Sequence, residues 1–374
     1  MKRSLFLPTL LLCSCATFGG GPRTGGVEEV TAEQKAAMAA IGQKLTGTIV
    51  WSSSRLGNHD IFKMNVDGSG LVRLTQSDQV DWFPRFSPDG QRILFIRSKK
   101  GWVSERDANR TEKWDLYTMT PDGSDAKLVA ANASWGNWLD GDRLIFVRED
   151  DVVIKTLSTG AEEIFLDGAG NPDLKGLLLQ QPQLAPDGEH LGLTLRGGRR
   201  ETGIWQRASN TWTATGKGCQ INWVPGESRI FWVNPSGNGG SELFTMEIAG
   251  GKPIKEYGYE EMQFMDIPGR RSHEYFPQMS DDGTWLVWAA TQRGHDHDIA
   301  DYEIYIWEIG APPQAATRLT FHSGNDRWPD IHIGSADGSA APPQDPSSDS
   351  AGEAAPTETS DPAAAEPPVA AEAP

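Results

Sequence analysis

Phe83-Pro84-Arg85-Phe86-Ser87-Pro88-Asp89-Gly90, then Ile93-Leu94-Phe95-Ile96, Asp115-Leu116-Tyr117-Thr118-Met119, Pro121-Asp122-Gly123-Ser124 and Lys127-Leu128-Val129 form one unit. It reads as strand, tight turn, strand, loop, strand, tight turn, strand. Each Pro-Asp-Gly supplies a preset φ, a side chain that caps its own turn and a residue free to take positive φ, so both joints are hairpins. Degenerate copies start at Trp135-Gly136-Asn137-Trp138, Gln181-Pro182-Gln183-Leu184, Ile221-Asn222-Trp223 and Phe276-Pro277-Gln278-Met279. Each is followed by an apolar strand, at residues 144–147, 191–195, 230–233 and 286–288.

The ends of the repeat array complete each other. Residues 49–51, 60–64 and 71–74 supply the last three strands of a unit whose first strand is missing, and Arg327-Trp328-Pro329-Asp330-Ile331 supplies that strand from the far end. A four-stranded unit built from both termini closes a ring and leaves no long edge unpaired. The expected fold is all-β: a six-bladed β-propeller with four-stranded blades over residues 46–334, closed by pairing of the N- and C-terminal strands.

Composition agrees with this and narrows the function. The 374 residues include 41 Gly, 24 Pro and 14 Trp, with 51 acidic against 34 basic side chains and a net charge of -17. Nucleic acid is excluded as an ordinary partner by that charge. Residues 335–374 carry eight of the acids, no base and no aromatic, and read as a disordered acidic tail that cannot bury enough apolar area to offset its ordering entropy. Three cysteines cannot build a disulfide framework.

Residues 1–14 read as a secretory signal, with basic Lys2 and Arg3 before a short apolar run. Leu12-Cys13-Ser14-Cys15 resembles a bacterial lipobox, which implies cleavage before Cys15 and diacylglycerol on its sulfur; the alternative is an ordinary signal cut near Ala16. Ala16 after the lipidated cysteine implies the outer membrane, on its periplasmic side, with surface exposure left open. Residues 15–45 are a tether that ends in a short helix begun by a capping box at Thr31-Ala32-Glu33-Gln34, with Met38, Ile41 and Leu45 on one side.

The stretch Ser54-Arg55-Leu56-Gly57-Asn58-His59-Asp60-Ile61-Phe62-Lys63-Met64-Asn65-Val66-Asp67-Gly68, the strand end Arg73-Leu74-Thr75 and the Pro-x-Phe-Ser-Pro-Asp-Gly turn resemble the repeats of TolB-like β-propellers. The resemblance covers nearly the whole globular part. TolB itself carries an α/β domain before its propeller, where this chain has only the tether and helix. Related repeats occur in peptidase propeller domains and in oligogalacturonate lyases, so the resemblance implies the fold more specifically than the function.

Strand alternation locates a candidate site. The position after Pro, or its equivalent, is Arg85, Asn137, Gln183, Asn222, Gln278 and Asp330, all polar, and the next is Phe86, Trp138, Leu184, Trp223, Met279 and Ile331, all apolar. A polar ring in the channel follows, either holding only water or recognising a polar ligand or a peptide end. Two positions earlier stand Phe83, Trp135, Gln181, Gln220, Phe276 and Trp328, expected at a channel mouth shared with the long loops, where aromatics suit a peptide or a sugar and core packing is the alternative. His295, Asp296, His297 and Asp298 form a loop that would hold a divalent cation or simply be solvated; no other cofactor is expected. With no Gly-x-Ser-x-Gly and no hydrolase domain, and with Cys219 reading as a small buried residue, a catalytic role is not expected. The sequence therefore points to a non-enzymatic envelope lipoprotein that binds a protein or peptide at its channel mouth. The alternatives are carbohydrate binding and a metal-dependent enzyme like the oligogalacturonate lyases, which have seven blades.

Overall fold

The computed structural model describes residues 26–235, 241–249, 252–253, 263–292, 294 and 296–334. Six antiparallel sheets follow the repeat found in the sequence, except that in blade 5 two short segments, Lys252–Pro253 and Gln263–Met265, share the outer edge of Glu242–Ala249. Blade 2 shows the plan, with Asp81–Phe86 innermost, then Ile93–Ser98, Trp114–Met119 and Lys127–Ala131 outward. Blade 1 takes its inner strand from the far end of the chain. Asp326–Ile333 pairs with Gly47–Ser53, Ile49 opposite Ile331 and Val50 opposite Asp330, and Asp60–Asn65 and Val72–Arg73 complete the sheet. The other inner strands are Ser134–Trp138, Leu178–Leu184, Cys219–Trp223 and His273–Met279.

Turn chemistry sets the two ends of the ring. In blade 2 the Ser87 amide donates to Arg92 O at 2.8 Å, the Asp89 carboxylate accepts from the Gln91 amide at 3.0 Å, and Gly90 takes φ 68°. These short turns join first to second and third to fourth strands, so all lie at one end of the ring, the turn face. The longer second-to-third-strand loops and the links between blades lie at the other, the loop face.

The motifs in the family-like stretch hold strands together. Asp60 accepts from Arg73 Nη2 at 2.6 Å, and Thr75 Oγ1 accepts from the Ile61 amide at 2.9 Å. Blade 6 repeats this with Glu303, Arg318 and Thr320: Arg318 Nη2 lies 2.8 Å from Glu303, and the Ile304 amide donates to Thr320 Oγ1 at 2.8 Å. An acid that opens the third strand is thus met by an Arg of the fourth and by a Thr two residues beyond it, Thr75 Oγ1 donating to Asp60 at 3.4 Å and Thr320 Oγ1 to Glu303 at 2.5 Å. Between blades the packing is apolar, with Trp51, Trp82, Trp114, Trp232 and Trp288 fully buried.

A helix, Ala32–Lys44, runs outside the ring. Thr31 Oγ1 accepts from the Gln34 amide while Gln34 Oε1 accepts from the Thr31 amide, which satisfies two of the amides a helix start leaves unpaired. Met38, Ile41 and Leu45 are buried. Ahead of the helix the chain is fastened to the loop face: Val27 bridges to His322, and the Glu28 amide donates to Phe321 O at 2.9 Å.

Candidate functional site

All six inner strands carry the same kink. Pairing slips by one register step between Trp82 and Arg85, Ser134 and Asn137, Gln180 and Gln183, Cys219 and Asn222, and Tyr275 and Gln278, and blade 1 slips at its closure. Inside each slip one residue has a left-handed backbone: Phe83, Trp135, Gln181, Gln220, Phe276 and Trp328, with φ between 52° and 59°. Such a conformation costs a bulky side chain about 1–2 kcal/mol. It delivers four aromatic rings to one another across the axis, with centroid separations of 4.5 Å for Phe83 and Trp135, 4.1 Å for Phe83 and Trp328, and 4.0 Å for Phe276 and Trp328.

This corrects the expected mouth. Phe83, Trp135, Phe276 and Trp328 are only 1–4% exposed, so they plug the channel and offer no aromatic surface to a ligand. Residues 99–113 seal the plug from the loop face. Asn109 Oδ1 accepts from Trp135 Nε1 at 3.0 Å and from Gln180 Nε2 at 2.8 Å, and Ser134 Oγ donates to Ala108 O at 2.7 Å. Glu105 lies 3.0 Å from Arg327 Nη1 and 2.5 Å from His297 Nδ1. Burial alone would raise the Glu105 carboxyl, but His297 and Arg327 beside it hold it below the usual range.

The polar ring opens at the turn face, the end opposite the long loops. Arg85, Asn137, Gln183, Asn222, Gln278 and Asp330 line a cavity of about 150 Å³ whose rim includes Pro88, Pro225 and Asp281. Ring members brace one another: Asn137 Nδ2 donates to Gln183 Oε1 at 2.9 Å, and Gln278 Nε2 to Asn222 Oδ1 at 3.3 Å. Arg85 Nη1 donates to Pro84 O at 2.8 Å, and Asp330 Oδ2 accepts from the Phe86 amide at 2.7 Å. Burial pushes the Asp330 carboxyl up to about 7 against the pull of Arg85. The apolar residues that follow lie between blades, where Trp138 Nε1 donates to Arg85 O and Trp223 Nε1 to Gln183 O, both at 3.0 Å.

At the rim, His332 approaches Gly90 so closely that a Cβ there would lie 2.3 Å from the imidazole. Burial lowers the His332 pKa against the pull of Asp281 and Asp89, and burial raises that of Asp281 against His332. Alternation revealed the ring but not this rim, because His332 and Asp281 come from different blades.

The His-Asp loop is only partly brought together. His295 lies outside the described residues, His297 turns to Glu105 and packs on Phe276, and Asp298 accepts from the Glu105 amide at 2.9 Å. Asp298 is thus tied into the plug, while Asp296 caps its own turn by accepting from the Asp298 amide at 3.1 Å. Among the described residues, the three carboxylates close enough to share an ion are Glu28, Asp301 and Glu303, and Arg271 and Arg318 already neutralise them. Cys219 is partly buried, and burial pushes its thiol up to about 11, the reverse of what a nucleophile needs. Cys15 lies outside the described residues.

No family model matches the sequence. Over 48 residues it is 44% identical to an uncharacterised protein of Agrobacterium fabrum, a stretch covering 13% of this chain and 16% of that one. Among solved structures, a protein of Agrobacterium tumefaciens described as TolB matches with a TM-score of 0.50 at 13% identity, over 78% of this chain and 99% of its own. TolB of Acinetobacter baumannii gives 0.37 at 14% identity, over 74% of this chain and 53% of its own, so this chain spans about half of that protein. An oligogalacturonate lyase of Vibrio parahaemolyticus gives 0.44 at 13% identity, over 73% and 74%. The chain is a six-bladed β-propeller, and TolB-like propellers are among its structural neighbours.

Proposed function

We propose that the protein is a non-enzymatic scaffold of the cell envelope, held to the outer membrane by lipid on Cys15, that takes a chain end or short peptide segment of a protein partner into the turn-face end of its channel. One observation carries this reading: six inner-strand polar side chains converge on a single recess that opens at the turn face, while the loop-face end is plugged. Four amides, a guanidinium and a carboxyl titrating near neutrality match the donors and acceptors of a peptide backbone or terminus. Size points the same way. A recess of about 150 Å³ is smaller than the roughly 300–1,000 Å³ of pockets that bury a drug-sized ligand, so it suits an inserted end better than an oligosaccharide.

The test is partner capture by cross-linking in native envelopes, comparing Asn137→Ala and Gln278→Ala with Arg106→Ala on the loop face. Loss of a central contact worth about 2 kcal/mol lowers affinity roughly thirtyfold, so the ring variants should lose capture and the loop variant keep it. Folded ring variants that capture normally, with loss at Arg106→Ala, would overturn the assignment.

A further inference from the structure

The first described residues leave the ring at its loop face. The Gly26 amide donates to Ser323 Oγ at 2.7 Å, Val27 bridges to His322, and Glu28 lies 2.5 Å from Arg318. Ten residues lie between Cys15 and Gly26, so the eleven backbone steps reach at most about 40 Å. The same face exposes large apolar side chains: Val27 at 85%, Leu56 at 58%, Ile299 at 42% and Trp102 at 38%. The last three sit on loops of three adjoining blades that hold one another. Ser104 bonds Asp298, Asn325 Nδ2 donates to His297 O at 2.7 Å, and the Ser54 amide donates to Asn325 O at 3.1 Å.

Charge near Trp102 favours the same end. Residues 99–113, which carry Trp102, hold five bases against three acids in a chain of net charge -17; of the exposed bases Lys99 pairs with Asp115 and Arg110 with Glu112, while Lys100 and Arg106 stand exposed beside the indole loop. An amphipathic indole flanked by cations suits the boundary between headgroups and acyl chains of an anionic bilayer. At the turn face the exposed apolar residues Leu71, Val72 and Leu128 lie on or beside the outermost strands, away from the channel rim.

We propose that the loop face is a lipid-facing surface, with Leu56, Trp102 and Ile299 seated in the headgroup region of an anionic membrane and the channel opening turned away from it. The membrane then covers the end of the ring that is already plugged and leaves the recess free. The orientation agrees with the lipid anchor of the proposed function, but the seating of the loop tips is a separate property and is tested without that anchor.

For the test, the chain from residue 15 onward carries Cys15→Ser, Cys219→Ala and an N-terminal hexahistidine tag, and is tethered to phosphatidylethanolamine/phosphatidylglycerol vesicles doped with nickel-chelating lipid. Single cysteines introduced by Leu56→Cys, Trp102→Cys, Ser124→Cys and Glu227→Cys take an environment-sensitive fluorophore, and brominated lipids report contact. The probes at 56 and 102 should lose half or more of their emission, and those at 124 and 227 almost none. Equal quenching at both faces, or stronger quenching at 124, overturns the proposal. In a second arm the untagged Cys15→Ser chain is sedimented with the same vesicles, with and without Leu56→Asp, Trp102→Asp and Ile299→Asp together. A tenfold fall in bound fraction is expected, and binding unchanged by the three substitutions overturns the proposal. The tag replaces the lipid, so the result does not depend on lipidation of Cys15, which the mass of the N-terminal peptide reads separately.

Discussion

Arg327 and Glu105 form an ion pair between the strand that closes the ring and the loop that seals it. The guanidinium is fully buried, lies 4.5 Å over the Trp82 ring and donates from Nη1 to Glu105 Oε2 at 3.0 Å. Two segments more than 200 residues apart in sequence are thereby fixed to each other.

Removing one partner leaves a charge buried without its counterpart, which typically costs about 3–5 kcal/mol. Glu105→Gln should therefore lower stability in urea titrations by an amount of that order, reduced by Asp298, which lies 3.8 Å from Arg327 Nη2. Glu112→Gln, in an exposed pair with Arg110 on the same loop, should cost no more than about 1 kcal/mol. Equal costs would show that the buried pair holds nothing together.

The pH dependence has a defined sign at Asp330. Its folded pKa of about 7 lies above the ordinary carboxyl value, so the protonated form is favoured in the fold, and the stability it contributes is lost as pH rises through 7. Asp330→Asn should differ from the parent by a constant offset, from its effect on Arg85, plus a gain of roughly 1–3 kcal/mol between pH 5 and pH 8. Melting curves of both proteins at the two pH values check this, and parallel shifts would refute it.

The repeat was legible because hairpin turns and strand alternation are local: Pro-Asp-Gly fixes its own geometry, and the ring from Arg85 to Asp330 follows from period two. The kinks at Phe83, Trp135, Phe276 and Trp328 were not, since nothing in an aromatic side chain announces a left-handed backbone. Hence the expectation of an aromatic mouth where the fold has a plug. His297 was read with its sequence neighbours, whereas its partner, Glu105, comes from another blade. Which end of the channel stays open depends on such contacts between blades, and they leave no periodic trace.

Closure predicts an asymmetry between two truncations. Ending the chain after Thr320 removes Asp326–Ile333, strips Gly47–Ser53 of its inner neighbour and deletes Trp328 from the plug. A loss of several kcal/mol is a large share of the roughly 5–15 kcal/mol available to a folded protein. Ending it after Gly334 leaves every described blade strand in place. The first should melt far below the parent and the second within about 2 °C of it; similar melting temperatures would refute the closure.

The proposed lipid anchor has its own check. Cys15→Ser should release the protein from sedimented outer membranes into the soluble periplasmic fraction, or leave the signal uncleaved. Two or three acyl chains at about 0.8 kcal/mol per buried methylene hold a protein on a bilayer far more firmly than loop-tip contacts alone. Unchanged membrane fractionation would mean that Cys15 carries no anchor.

Because the inner strand of blade 1 is also the last strand of the fold, order of synthesis becomes order of assembly. Residues 47–73 emerge first and must wait for residues 326–333 before their sheet has its axial strand. At about 5–20 residues per second that wait is on the order of tens of seconds. During it the edge of Gly47–Ser53 is open to any extended chain nearby, so the period between translation and ring closure is when this protein is most exposed to mispairing.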